Sequence, residues 1–139
     1  MTTLDSKKLP AKLDNLETFI DMVSACAVNV GFTPDKVSSI NVAAEEVLVN
    51  VFNYAYGGLD GDVEVNCLVD NSEMFIVEIV DSGISFNILS AEEPDITLGL
   101  EDRYIGGLGI LMIKNLMDDV KYHRNNDKNI LQLICLKKS

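Results

Sequence analysis

The 139-residue chain has no tryptophan, one histidine and three cysteines. With His123 alone, a histidine-rich metal site is excluded. Cys26, Cys67 and Cys135 are far apart, odd in number and set among apolar neighbours. They form neither a disulfide framework nor a zinc spacing, and they suit a reducing compartment. Positive charge is also scarce. Eleven Lys plus Arg stand against 22 Asp plus Glu, a net charge of −11. A field of that sign repels phosphate backbones, which argues against direct nucleic-acid or anionic-membrane partners. No basic stretch opens the chain and no apolar run approaches ~18 residues, so neither a signal peptide nor a membrane span is expected. Internal repeats, low-complexity tracts and linkers are missing too. The expectation is a cytoplasmic protein with one domain over residues 1–139.

Residues 1–10 read as an edge strand ending at Pro10. Asp14 followed by Glu17 has the spacing of a capping box. Leu16, Phe19, Ile20, Val23, Ala27 and Val30 then recur at helical spacing, with Gly31 placed to close the helix. A second helix opens at Thr33-Pro34, runs to about Tyr54 and breaks at Gly57-Gly58. Val63, Val65, Cys67 and Val69 alternate with Glu64, Asn66, Leu68 and Asp70 as a half-buried strand. Asp70-Asn71-Ser72 turns it into a returning strand over Met74 to Val80. From Asp81 to Gly107 the pattern dissolves into glycine, serine, proline and acids, a length uncommon in a small domain unless it is functional or disordered. A helix from Leu108 to Met117 and a hairpin of Val120 to Arg124 with Ile130 to Leu136 complete the chain. The order predicts an α+β fold, a two-layer sandwich with helices on one face of a mixed, largely antiparallel sheet.

Three places could carry chemistry. On the second helix, at 100° per residue from Val37, the apolar stripe of Ile40, Ala44, Val47, Leu48, Val51 and Ala55 lies within roughly 80°. Glu46, Asn50 and Asn53 cluster between about 160° and 220° on the same wheel. Polar residues there are ordinarily a solvated helix back. Val42 and Val49 beside them, and the poor helix propensity of Asn41, Asn50 and Asn53, count against that. A carboxylate and an amide oxygen one turn apart could hold hydrated Mg²⁺ or position an attacking hydroxyl. Second, the apolar run Val77-Glu78-Ile79-Val80 ends on Asp81-Ser82-Gly83. This is either a strand followed by a turn, or a carboxylate facing a pocket with Gly83 permitting close backbone approach. Third, Gly106-Gly107-Leu108-Gly109 runs into Ile110 at a helix start, either a hinge or a phosphate site. It is not a P-loop, because no Gly-Lys-Ser/Thr follows.

Glu46-Val-Leu-Val-Asn50 on a helix, Asp81-Ser-Gly83-Ile-Ser-Phe86 after a strand, a long loop and Gly107-Leu-Gly109 opening a helix together resemble the GHKL ATPase family. Within it the chain is similar to the stand-alone anti-sigma-factor serine/threonine kinases of bacterial partner switching. The similarity runs from about Leu13 to Leu136. It implies Glu46 as general base, Asn50 as Mg²⁺ ligand and Asp81 as the aspartate that accepts from the adenine amino group, with Gly83 beside it. Asn53 and Phe86 fall within the same implied nucleotide site. The stretch 87–106 matches an ATP lid, with Gly106, Gly107, Leu108, Gly109 and Ile110 at the phosphates and Arg103 a looser match to a residue reaching the terminal phosphate. Such kinases often carry His-x-Tyr after the motif asparagine, where this chain has Tyr54-Ala-Tyr56.

The resemblance implies ATP and Mg²⁺ as cofactors, a small anti-anti-sigma (STAS-type) protein as substrate, a sigma factor or similar regulator as second partner, and a homodimer. Length excludes a gyrase-type ATPase with a transducer domain, and His123 on a strand is no phosphoacceptor. A nucleotide-gated binding module that switches partners without transferring phosphoryl fits the same motifs.

Overall fold

The computed structural model describes residues 1–71, 73–85 and 108–137. Strand β1 (Thr2–Pro10) leads through a 3-10 turn (Leu13–Asn15) into α1 (Leu16–Val30) and α2 (Pro34–Asn50). A π-helical turn (Val51–Ala55), β2 (Asp62–Asp70), β3 (Met74–Asp81), α3 (Leu108–Leu116), β4 (Asp119–Asn125) and β5 (Lys128–Leu136) follow. The sheet order is β1-β2-β3-β5-β4. All four pairings are antiparallel. The opening strand is thus an edge strand, and the helices cover one face of the sheet.

Local chemistry sets these boundaries. Gly31, at φ 105°, ends α1 in the left-handed conformation, its amide donating to the Ala27 and Val28 carbonyls. Thr33 Oγ1 caps α2 by accepting from the Lys36 amide at 3.3 Å, with Pro34 at the first position. The Asp14/Glu17 capping box does not form. Asp14 lies inside the 3-10 turn, which closes through the Asn15 amide on the Lys12 carbonyl. Asn15 then occupies the N-cap position of α1, but its side chain donates to the Pro10 carbonyl at 2.8 Å instead of capping. In the last hairpin, Asn126 and Asp127 both adopt positive φ, which suits a two-residue turn between antiparallel strands.

The core lies between sheet and helices. Phe19, Val23 and Ala27 of α1 and Ile40, Ala44 and Leu48 of α2 are fully buried. They meet the inward rows Val63-Val65-Cys67, Phe75-Val77-Ile79 and Leu131-Leu133, while Ile113 closes the core from α3. Burial pushes the Cys67 thiol well above its ordinary pKa and raises that of Cys135 to about 11. Both are inert packing groups at neutral pH. The outer face carries a polar row instead. Ser6 Oγ donates to Asn66 Oδ1, Asn66 Nδ2 to Glu78 Oε1 at 3.2 Å, and Gln132 Nε2 to Glu78 Oε2 at 2.9 Å. No helix among the described residues is long and apolar enough to cross a membrane.

Candidate active site

The C-terminal end of α2 lies over the end of β3 and the start of β5, and a narrow cavity of about 40 Å³ opens between them. Its walls are largely apolar, with Val47 and Val51 on the helical side and Ile79 and Leu131 on the sheet side. Into this slot project the polar groups of Asn50, Asp81 and Asn129.

Asn50 stands on the last turn of α2, and its Nδ2 donates to the Glu46 carbonyl at 2.8 Å. That bond fixes the amide and leaves its Oδ1 and the second Nδ2 hydrogen for other groups. Glu46, one turn earlier, is half-buried and lies outside the cavity wall. Asn53 is exposed and also outside it. The π-helical turn explains the split: beyond Asn50 the bonding widens to five residues and the helical phase slips. Tyr54 and Ala55 then line the cavity in place of Asn53. Gly57 and Gly58, at φ 57° and 86°, end the turn.

Asp81 closes β3 and is 6% exposed. Its Oδ1 accepts from the Gly83 amide at 2.8 Å and from Asn129 Nδ2 at 2.9 Å. Oδ2 is the oxygen that remains for a ligand. Gly83 is required by space: an added Cβ would sit 2.1 Å from the Ala55 carbonyl oxygen. The neighbouring Ile84 amide donates to that same carbonyl at 2.8 Å, locking the turn after β3 onto the π-helical turn. Gly83→Ala must prise these apart. It is expected to lower the unfolding free energy by about 1–3 kcal/mol and to weaken nucleotide binding. A urea titration with and without MgATP checks this; unchanged stability and affinity would contradict the packing.

Tyr56 clasps the same turn. Its hydroxyl accepts from the Ser82 amide at 2.9 Å and donates to the Asp62 carbonyl. Burial pushes the phenol above its ordinary pKa, so it stays a donor at neutral pH. The Tyr54-Ala-Tyr56 sequence thus gives one cavity-wall residue and one clasp.

Sequence reasoning missed Tyr122, Arg124 and Asn129. Asn129 is buried and stands opposite Asp81 in the β3–β5 register. The signal was present, since Asn129 shares strand parity with Leu131 and Leu133 and is therefore a polar residue on the core-facing side. Leu108, Gly109 and Ile110 form the first turn of α3. Phe86, Arg103, Gly106, Gly107 and the lid 87–106 lie outside the described residues. No group of three or more His, Cys, Asp or Glu side chains among the described residues could hold a metal.

Comparison with known proteins identifies the family. Residues 9–135 match the family described as the histidine kinase-like ATPase domain. A serine-protein kinase RsbW from Listeria monocytogenes is 28% identical over 139 residues, covering 94% of this chain and 88% of that protein. An RsbW from Bacillus pumilus is 29% identical over 126 residues, covering 86% and 77%. Among solved structures, the RsbU and RsbW domains of a Mycobacterium tuberculosis protein superpose with a TM-score of 0.65 at 12% identity. That match covers 95% of this chain and 32% of the solved one, and it shows a shared fold. The chain belongs to the histidine kinase-like ATPase domain family and is an ATP-dependent kinase, similar over nearly its whole length to serine-protein kinases named RsbW.

Proposed function

We propose that this kinase binds ATP with Mg²⁺ in the cavity between α2 and the ends of β3 and β5, and transfers the terminal phosphoryl group to a serine of a small anti-anti-sigma (STAS-type) protein. In the same cycle it sequesters a sigma factor or similar regulator. The observation that carries the reading is that Asn50 and Asp81, from two separate motifs, line one apolar slot. Asp81 Oδ2 accepts from the adenine amino group, while Val47, Val51, Ile79 and Leu131 enclose the base. The phosphates then extend toward α2 and the start of α3.

The donor set suits Mg²⁺. This ion prefers oxygen ligands, keeps several waters and takes one or two groups from the protein, the rest coming from phosphate. Asn50 offers one such oxygen, its Oδ1, on an amide that the Glu46 carbonyl orients through Nδ2. When bound, the ion neutralises charge on the phosphates. Asn50→Ala is accordingly expected to weaken MgATP binding at least ten-fold while changing metal-free ATP binding little. Calorimetry in Mg²⁺ and in a chelator checks this; equal losses in both would make Asn50 a shape residue only.

Glu46 supplies the base. Its half-burial one turn from Asn50 supports a role as acceptor of the serine hydroxyl proton. The serine oxygen bonds to the γ-phosphorus, the bond to the ADP oxygen breaks, and ADP leaves. The net charge of −11 agrees with a protein partner in place of a nucleic acid. The test is incubation with γ-labelled ATP, Mg²⁺ and the small partner encoded nearest to this gene. Labelled phosphoserine on the partner is expected. No transfer, with partner affinity still differing between ATP and ADP, would leave a nucleotide-gated binding module.

A further inference from the structure

The adenine end of the cavity is held by a hydrogen-bond relay that reaches the protein surface. Asn129 Nδ2 faces two acceptors, Asp81 Oδ1 at 2.9 Å and the Ile84 carbonyl at 2.7 Å. Its Oδ1 faces two donors, Tyr122 Oη at 2.5 Å and Arg124 Nη1 at 3.1 Å. These four contacts all select the same orientation of this amide. The same Arg124 Nη1 also donates to the Gly83 carbonyl at 2.8 Å. One guanidinium nitrogen thus ties the turn after β3 to the side chain that fixes Asp81. The carboxylate beside Arg124 is that of Asp127, 3.9 Å from Nη2 and fully exposed.

We propose that Arg124 is a positioning residue for purine selection: by locking the Asn129 amide and the Gly83 carbonyl, it holds Asp81 as an acceptor at the base edge and denies that edge a donor. The inference rests on Asp81 reading the purine, as proposed above. Without Arg124, Asn129 Oδ1 loses one of its donors and the Gly83 carbonyl its guanidinium partner, so the amide and Asp81 are held less tightly. Asn129 Nδ2 can then meet a 6-oxo purine that the locked arrangement rejects. Tyr122 contributes from the other side of the same oxygen, and its ring lines the cavity.

ATP and inosine triphosphate test this, because they differ at the purine 6-position, amino in one and oxo in the other. Calorimetry of the full chain with both Mg²⁺ complexes gives an affinity ratio, measured beside the unfolding midpoint of each nucleotide-free variant. Wild type is expected to favour ATP. Arg124→Ala is expected to reduce the ratio about ten-fold, the scale of a lost hydrogen bond from a charged group. Arg124→Lys, which keeps a donor within reach, should recover part of it. Tyr122→Phe, which keeps the ring, should lower it about three-fold. Equal losses for both nucleotides in Arg124→Ala, with the ratio intact, would overturn the proposal and leave a structural tie. Should Arg124→Ala fail to fold, an unchanged ratio in Tyr122→Phe overturns it equally. A wild type that does not discriminate would instead overturn the Asp81 reading, and this inference with it.

Discussion

Asp81→Ala is expected to remove most of the affinity for MgATP while the fold persists. The fold survives because Asn129 Nδ2 keeps the Ile84 carbonyl as acceptor and the turn after β3 keeps its bonds to Ala55 and Tyr56. Binding does not, because the substitution removes the carboxylate proposed to accept from adenine in this apolar slot. A carboxylate accepts hydrogen bonds, adenine offers an amino donor there, and guanine presents a carbonyl. Two acceptors facing each other in a buried site cost roughly 2 kcal/mol or more, about thirty-fold in affinity. Wild type should therefore favour MgATP over MgGTP by at least that factor, and Asp81→Ala should erase the preference together with the binding. Calorimetry with both nucleotides decides; equal affinities in wild type would sink the adenine assignment.

Glu46→Gln is expected to bind MgATP and protein partners as wild type does, yet to phosphorylate a serine partner ~10²–10⁴ times more slowly. Phosphoryl transfer asks the protein for positioning and charge stabilisation, plus one group that orients or takes the hydroxyl proton. Glutamine keeps the size and removes the base. Single-turnover transfer from preformed enzyme–ATP separates the chemical step from binding. An unchanged rate would remove Glu46 from the mechanism and leave the base unassigned.

Much of this architecture was legible in the residues. Alternation along Val63 to Asp70 gave β2, and the Thr33-Pro34 and Gly31 signals gave both ends of the helical loop. The aspartate closing an apolar strand marked the polar end of the cavity. The misread features have physical causes. Asp14 and Glu17 had capping spacing, but a 3-10 turn absorbed Asp14 before the helix began. A uniform 100° wheel put Asn53 beside Asn50, whereas the π-helical turn moved it to solvent and brought Tyr54 to the wall. The Tyr122–Arg124–Asn129 relay depends on the β3–β5–β4 register, which sets residues 81 and 129 opposite each other. Strand parity marks Asn129 as inward but does not name its partner. Gly83 reads in sequence as a flexible turn, yet its role is clearance against the Ala55 carbonyl.

Adenine is proposed to occupy the slot between α2 and the ends of β3 and β5. Methyl-labelled protein titrated with MgATP tests it most directly, through nuclear Overhauser contacts between adenine protons and side-chain methyls. Ile79 and Leu131 line the slot, whereas Ile76 and Ile134 share the opposite sheet face. Contacts from adenine to Ile79 and Leu131, with none to Ile76 or Ile134, are predicted. Saturating MgATP that reaches neither Ile79 nor Leu131 would contradict the account.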